Sequence, residues 1–268
     1  MKISLEKKIS TLNLEKKAPT LINLAKTAQI SLQKISFESH TAQVALVMDI
    51  SGSMRNLFDD GTVQEIIART MALGLNFDDN GAIDIFAFGA KAHNLGELTV
   101  DGFSNASQWI LSQTGFEGDT KYAAPIMEIA KHYGFFQKQT ITTSTKGFFG
   151  LFSSTQQEEK EVWMPSQKVQ HPIYVLFVTD GENSDKSSTR EIIKNISQYP
   201  VFFQFIGIGG GAFSFLQELD SIEGRVVDNA NFFAVPNPKA MSAEELFGKM
   251  TAEYPEWVRT VQNNQWIS

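Results

Sequence analysis

Apolar residues alternate between two patterns from position 43 onward. Short runs such as "VALVM" (44–48), "IYVLFV" (173–178) and "VFFQFI" (201–206) are apolar at nearly every position, which predicts strands buried on both faces of a parallel sheet. Residues 62–76 carry apolar side chains at helical spacing, and a turn at 80–81 precedes another strand at 82–88. This order predicts an α/β fold: a doubly wound, Rossmann-like, mostly parallel sheet with helices on both faces and an antiparallel edge strand near Leu98.

The same alternation continues to the end of the chain. We predict a last strand within 225–235 and a closing helix over 242–262, in which Ser242 is the N-cap and Glu245 completes a capping box. Further helices are predicted at 105–113, 122–136, 188–197 and 213–219.

The first 40 residues and one internal segment stand apart from this pattern. Residues 1–40 are predicted to form an extended arm followed by a helix over 18–34 with Pro19 in its first turn, ahead of a main domain at 41–262. Residues 138–171 are long and polar, which indicates an insertion loop. Its apolar side chains could contact a partner or a membrane, although we favour local packing or mobility; they are Phe148, Phe149, Leu151 and Phe152.

Composition narrows the classes of function. The 268 residues carry a formal charge of −7 and no basic cluster, so we expect no nucleic-acid partner. The absence of cysteine excludes disulfides, thiolate nucleophiles and Cys-ligated zinc. The charged start "MKISLEKKISTLNLEKK" has no apolar signal core, and no run approaches the ~20 apolar residues that cross a bilayer. We therefore expect a cytoplasmic protein.

The first apolar run ends in a cluster of oxygen side chains. "DISGS" places Asp49, Ser51 and Ser53 at alternate positions just after the strand, where open α/β sheets bind ligands. Asp180 ends a second buried strand, and Thr120 lies between a loop and a helix in "FEGDTKY". Adjacent parallel strands would bring both aspartates to one edge of the sheet, and oxygen donors suit hard cations such as Mg²⁺.

The motifs "DISGSM", "GDTKY" and "TDGE", in that order, resemble the metal-ion-dependent adhesion site of von Willebrand factor A domains. The resemblance covers roughly 42–260 and implies that Asp49, Ser51, Ser53, Thr120 and Asp180 arrange Mg²⁺ or Mn²⁺. Asp119 departs from many relatives, which have a small residue before the Thr, and leaves the cation preference open. If hydroxyls supply much of the inner shell, the metal keeps positive charge and can accept a carboxylate from a protein partner.

A narrower resemblance points to a biological setting. Residues 21–89 are similar to bacterial von Willebrand A proteins of the tellurium-resistance group and, more remotely, to copine A domains. That group is associated with tellurite resistance and with phage and chemical stress. The resemblance implies a setting and not a reaction. Within that setting we expect a scaffold and not an enzyme, with other stress-response or tellurium-resistance proteins as its partners.

Four other interpretations compete with this one. A haloacid-dehalogenase-type phosphohydrolase would need a second Asp where Ser51 stands, and Ser51 cannot act as an acid or base at neutral pH. "GIGGGA" (207–212) fits a loose dinucleotide fingerprint, but few residues follow it. A Ser-His-Asp hydrolase would need one of four histidines that lie in no known motif: His40, His93, His132 and His171. Finally, Asp49 and Ser51 could only cap the following helix.

Overall fold

The computed structural model describes residues 2–78, 80–146 and 153–267. Within these ranges one sheet has the strand order β3-β2-β1-β6-β7-β8, and all its neighbouring strands are parallel except β2 and β3. The predicted α/β fold with an antiparallel edge strand is confirmed. The strands of the sheet are β1 Gln43–Asp49, β2 Ala82–Phe88, β3 Ala92–Thr99, β6 Ile173–Thr179, β7 Val201–Ile208 and β8 Ala230–Val235; β4 Phe136–Lys146 and β5 Ser153–Trp163 pair separately.

Helices cover both faces of the sheet, since the central strands carry apolar side chains on both faces and these must be buried. All seven residues of β6 and all eight of β7 are buried. One apolar cluster joins α3 and α5 to one face, and a second joins α7, α8 and α9 to the other. The helices are α1 Leu5–Thr11, α2 Leu14–Lys17, α3 Pro19–Lys34, α4 Arg55–Asp59, α5 Thr62–Phe77, α6 Ala106–Thr114, α7 Ala123–His132, α8 Lys186–Ile196, α9 Ser214–Asp220, α10 Ala243–Met250 and α11 Tyr254–Asn263.

Strand β1 lies at the point where the winding of the sheet reverses. It pairs with β2 on one side and with β6 on the other, and the chain leaves it first towards β2. In register, Asp49 lies opposite Phe88 of β2, and Met48 lies opposite Val178 of β6. The segments that follow β1 and β6 therefore share one edge of the sheet at a topological switch point, where such folds bind ligands.

The predicted extended arm at the N-terminus is wrong, since residues 5–17 form α1 and α2. Leu5 and Leu14 are buried, and the Lys8 ammonium donates to the carbonyl of Leu75 at 2.8 Å. Asn13 adopts a left-handed conformation with φ 56° between the two helices. That break keeps each helix too short to show a sustained 3.6-residue period.

The predicted insertion loop at 138–171 is also wrong over much of its length. Strands β4 and β5 pair antiparallel from Phe136 opposite Trp163 to Lys146 opposite Ser153. Side chains 137–140 and 158–161 are all solvent-exposed, so this part of the hairpin lacks the alternating apolar pattern that predicts a strand. Phe148, Phe149, Leu151 and Phe152 lie outside the described residues.

The closing segment forms two helices and not the single predicted one. Ser242 does cap α10, since its hydroxyl accepts from the amide of Glu245 at 3.1 Å. The helix nevertheless ends at Met250, and α11 begins at Tyr254 with Pro255 in its first turn, where the missing N–H costs nothing. No helix in the described ranges is both long and apolar enough to cross a membrane.

Candidate metal site

Asp49 forms the floor of the site at the carboxyl end of β1. Asp49 is 0% exposed, and each of its two carboxylate oxygens is bonded to a different element. Oδ1 accepts from the amide of Ser51 at 2.7 Å, and Oδ2 accepts from the hydroxyl of Thr179 at 2.6 Å. The β1 terminus and the β6 terminus thus fix one carboxylate between them.

A chain of hydrogen bonds leads from this floor to the surface. The hydroxyls of Ser51 and Ser53 lie 3.1 Å apart, and Ser53 donates to Asp180 Oδ1 at 2.8 Å. Ser51 is buried, Asp180 is half-buried and Ser53 is exposed. The predicted residues Asp49, Ser51, Ser53 and Asp180 therefore meet in one shallow recess that is open to solvent.

The two carboxylates of the recess are in an unfavourable environment when ionised. Burial raises the pKa of Asp49 to about 6, although its hydrogen bonds from Thr179 and Ser51 oppose that rise and the charge of Asp180 adds to it. Burial likewise raises the pKa of Asp180. Within the described residues, neither carboxylate has an ion-pair partner. A cation in the recess would supply the missing positive charge.

Thr120 lies on a neighbouring loop that approaches the recess, but its side chain is not part of the hydrogen-bonded chain. Its amide donates to Asp119 Oδ1 at 2.8 Å, and its carbonyl accepts from the amide of Ser184 at 2.9 Å. The amide of Lys121 donates to the carbonyl of Gly89 at 3.0 Å. The loop is thus held beside the segment after Asp180, and within the described residues the Thr120 hydroxyl has no hydrogen bond to the other four.

Glu117 attaches this loop to the β1 terminus, a role that no sequence pattern indicates. Its amide donates to the carbonyl of Ile50 and its carbonyl accepts from the amide of Gly52, each at 2.9 Å. Its side chain turns the other way, where Oε2 accepts from the amide of Lys91 at 2.8 Å and Oε1 lies 2.8 Å from His93 Nε2. One residue therefore joins the Thr120 loop, the Ser51 segment and the turn between β2 and β3.

Asp185 fixes the other end of the loop, again without a sequence signal, because its partners lie about 60 residues earlier. Oδ1 accepts from the amide of Tyr122 and Oδ2 from the amide of Ala123, both at 3.0 Å. These contacts satisfy free N–H groups at the start of α7. The buried Tyr122 hydroxyl donates to the carbonyl of Gly181 at 2.5 Å, so the start of α7 is also bonded to the segment that follows Asp180.

The glycines of "GIGGGA" have a packing role beside Asp180. A Cβ added to Gly211 would lie 2.2 Å from the carbonyl oxygen of Asp180, and one added to Gly207 would lie 2.7 Å from the Phe213 ring. The backbone after β7 can approach the recess this closely only without a side chain. Close packing accounts for these glycines without a dinucleotide.

The local alternatives find little support in the contacts. The Ser51 side chain makes no capping hydrogen bond to the 3₁₀ turn Gly52–Met54 that follows it. The four histidines face other partners: His40 contacts Tyr254, His93 contacts Glu117, His132 contacts Asp84, and His171 contacts Thr41.

The donor set of the recess suits a hard divalent cation. It offers two carboxylates and the hydroxyls of Ser51 and Ser53, with Thr120 on the adjoining loop. Oxygen donors are what Mg²⁺ and Mn²⁺ prefer. In the described part of the chain, no three His, Cys, Asp or Glu side chains gather into a metal-binding cluster. A cation here would therefore depend on neutral hydroxyl ligands.

Comparison with known proteins confirms the predicted family. A family model for the von Willebrand A domain found in the TerF C terminus, vWA-TerF-like, matches residues 41–267. The uncharacterized protein YcbR of Bacillus subtilis (strain 168) is 30% identical over 236 residues, which are 87% of this chain and 84% of YcbR.

Solved structures similar to this chain are more distant. VWA2 of Sulfolobus acidocaldarius, an ArnB paralog, has a TM-score of 0.43 at 12% identity and covers 75% of this chain and 43% of its own. Manganese-loaded TRAP protein of Plasmodium vivax has a TM-score of 0.46 at 17% identity over 78% of this chain and 73% of TRAP. This chain thus spans less than half the length of the archaeal protein.

Proposed function

The chain belongs to the vWA-TerF-like family of von Willebrand factor A domains, and from that premise we propose that it is a metal-dependent protein-binding scaffold. Asp49, Ser51, Ser53, Thr120 and Asp180 would hold Mg²⁺ or Mn²⁺. The observation that carries the proposal is the buried Asp49 carboxylate, linked through Ser51 and Ser53 to Asp180, with no cationic side chain of the described residues paired to either acid. When bound, the cation supplies an electrophilic position for an outside oxygen ligand.

The composition of the donor set gives a reason for a partner. The hydroxyls of Ser51 and Ser53 carry no charge, so a divalent ion that they ligate directly keeps positive charge, which carboxylates bound through water only partly screen. A metal held this way attracts a further anionic oxygen, and the half-exposed rim lets a protein carboxylate reach it. The family setting suggests that the partner is another protein of a tellurite or stress-resistance system. We propose no catalytic role, since Ser51 occupies the position where a phosphohydrolase would need a second acid.

Metal binding by the recess is tested first. Purified protein is titrated with Mn²⁺, and electron paramagnetic resonance measures the ion that stays free. The protein should bind one Mn²⁺ ion, and its thermal stability should rise with the Mn²⁺ concentration. Asp49→Asn and Ser51→Ala should each lose both effects, because Asp49 supplies the buried charge and Ser51 the central hydroxyl.

The matched controls alter the same residue types elsewhere. Asp101→Asn and Ser112→Ala change an exposed aspartate and an exposed serine, and both should bind Mn²⁺ as the parent does. Equal Mn²⁺ binding by Asp49→Asn and the parent would refute the metal site. Partner capture from the host, with Mg²⁺ and with EDTA, then tests the scaffold role; proteins retained equally in both would refute it.

A further inference from the structure

Arg55 stands at the edge of the recess with its guanidinium stacked on an aromatic ring. Its Cζ lies 4.3 Å from the centroid of the Phe116 ring. Arg55 begins α4 only two residues after Ser53, and Phe116 immediately precedes Glu117, which bonds to Gly52. The stacked pair therefore joins the two loops that build one side of the site.

The ring beneath the guanidinium is itself supported from the core. Phe116 meets Phe58 edge to face with a centroid separation of 5.5 Å, and Phe58 is 7% exposed. Phe58, Phe116 and Arg55 form a stack, the Arg55 platform, that runs from the core to the surface. Stacking on a fixed ring orients a planar guanidinium and lowers the entropy lost when its N–H groups bind a ligand.

The guanidinium on this platform has its hydrogen-bonding edge free. Arg55 is exposed, and within the described residues its guanidinium forms neither an ion pair nor a hydrogen bond. By contrast, the neighbouring Lys121 lies 3.6 Å from Asp119, and Lys186 is paired with Glu182. Lys121 and Lys186 are thus already matched by a carboxylate, whereas Arg55 is not.

From this geometry, and resting on the proposed metal-dependent binding, we infer that Arg55 is a specificity-determining residue that recognises a second carboxylate of the partner. One partner carboxylate would meet the metal and the other would accept hydrogen bonds from the oriented guanidinium. Arginine and carboxylate groups match in a bidentate, planar arrangement. Consecutive Cα atoms are about 3.8 Å apart, so the second acid would lie within a few residues of the first. The preferred ligand is therefore a short acidic segment and not an isolated acid.

Binding of defined peptides tests this inference. A fluorescent peptide with one Asp in a Gly/Ser background is compared with peptides that carry a second Asp one to four residues away, in Mn²⁺ and in EDTA. In Mn²⁺ the parent should bind the best two-acid peptide about tenfold more tightly than the one-acid peptide, the size expected for a charge-assisted hydrogen bond. EDTA should abolish binding of both.

Variants distinguish a specific contribution of the Arg55 guanidinium from a general effect of positive charge. Arg55→Ala should lose the preference for two acids, Arg55→Lys should keep only part of it, and Phe116→Leu should weaken it by removing the platform. Arg259→Ala removes an exposed arginine of α11 outside these loops and should leave the preference unchanged.

The Mn²⁺ titration distinguishes the two ways of failing. If Arg55→Ala binds Mn²⁺ normally and keeps the two-acid preference, or if the parent binds Mn²⁺ but no peptide better with two acids, the Arg55 inference is refuted while the metal site stands. If the parent binds no Mn²⁺, the proposed function fails and the inference fails with it.

Discussion

Glu117 shows how one residue outside the motif can set the geometry of the site. Its backbone joins the Thr120 loop to Ile50 and Gly52, while its carboxylate holds the Lys91 amide and His93. A Cβ on Gly89 would lie 2.5 Å from the Glu117 Cβ, so the side chain is packed against the end of β2. Supporting contacts of this kind orient metal ligands without touching the metal.

Glu117→Ala is expected to weaken Mn²⁺ binding by roughly 10–100-fold, because the Thr120 loop loses its side-chain attachment. The free energy of unfolding should fall by only about 1–2 kcal/mol, the cost of losing partly exposed hydrogen bonds. Glu117→Gln keeps an oxygen for the Lys91 amide and should recover much of the affinity. Mn²⁺ titration and urea denaturation measure the two effects; loss of stability without loss of Mn²⁺ affinity would contradict a positioning role.

The residues of the candidate site were predictable from sequence, but the residues that hold them in place were not. Asp49, Ser51, Ser53 and Asp180 directly follow apolar strands whose ends must share one edge of the sheet, and the structure brings them together. Glu117 and Asp185 instead act on groups 26 and 63 residues away. Nothing in their own neighbourhood differs from that of an ordinary surface acid, so no local pattern reveals them.

Among the elements, the segment between α3 and β1 is bound through His40 to two distant helices. His40 stacks on Phe37 with a centroid separation of 4.3 Å, meets Phe77 of α5 edge to face, and lies 3.0 Å from the Tyr254 hydroxyl of α11. Burial, together with the charges of Lys2 and His171, lowers the pKa of His40 to about 3. The imidazole is therefore neutral where these elements meet.

This lowered pKa predicts a loss of stability in mild acid. Because unfolded histidine titrates near 6.5, the unfolded chain binds more protons between about pH 6.5 and 3, and stability falls as the pH drops through that window. At pH 5 His40 should lower the free energy of unfolding by about 1–2 kcal/mol relative to pH 7.5. Urea denaturation of the parent and of His40→Gln at both pH values measures this difference.

His132 provides a control of opposite sign. Its hydrogen bond with Asp84 raises its pKa, so its contribution is present below pH 6.5 and is lost as the pH rises through the folded value. Compared with the parent, His132→Asn should therefore lose more free energy of unfolding when the pH falls from 7.5 to 5. His40→Gln should lose less than the parent over the same change. Equal pH dependence of the parent and His40→Gln would contradict the prediction for His40.

The elements that were wrongly predicted from the sequence were missed for one physical reason. Strands β4 and β5, helices α1 and α2, and the break before α11 are set by chain geometry or by pairing with distant residues. Side chains 137–140 of β4 and 158–161 of β5 are exposed on both faces, and Asn13 interrupts the first helical segment. Periodicity detects a face that stays buried over several turns or residues, and these stretches show none.

Across the whole molecule, the first 34 residues pack against α5, on the face of the sheet that this helix covers. Lys8 binds the carbonyls of Leu75 and Asp78 at the end of α5, and α3 contributes Leu21 and Leu32 to the core on that face. The family match begins at residue 41, so these helices lie outside the matched region, and Ser53 in the recess stays exposed. The metal site and the Arg55 platform consequently face solvent on one side of an acidic protein whose formal charge is −7.

A crystal of the protein grown with Mn²⁺, measured at the manganese absorption edge, would locate the metal. The site described above predicts one strong anomalous peak in the recess, within roughly 2.0–2.3 Å of Ser51 and Ser53 oxygens, with Thr120, Asp49 and Asp180 around it. A recess without such a peak at saturating Mn²⁺, or a peak elsewhere with Thr120 turned away, would contradict metal-dependent binding by this domain.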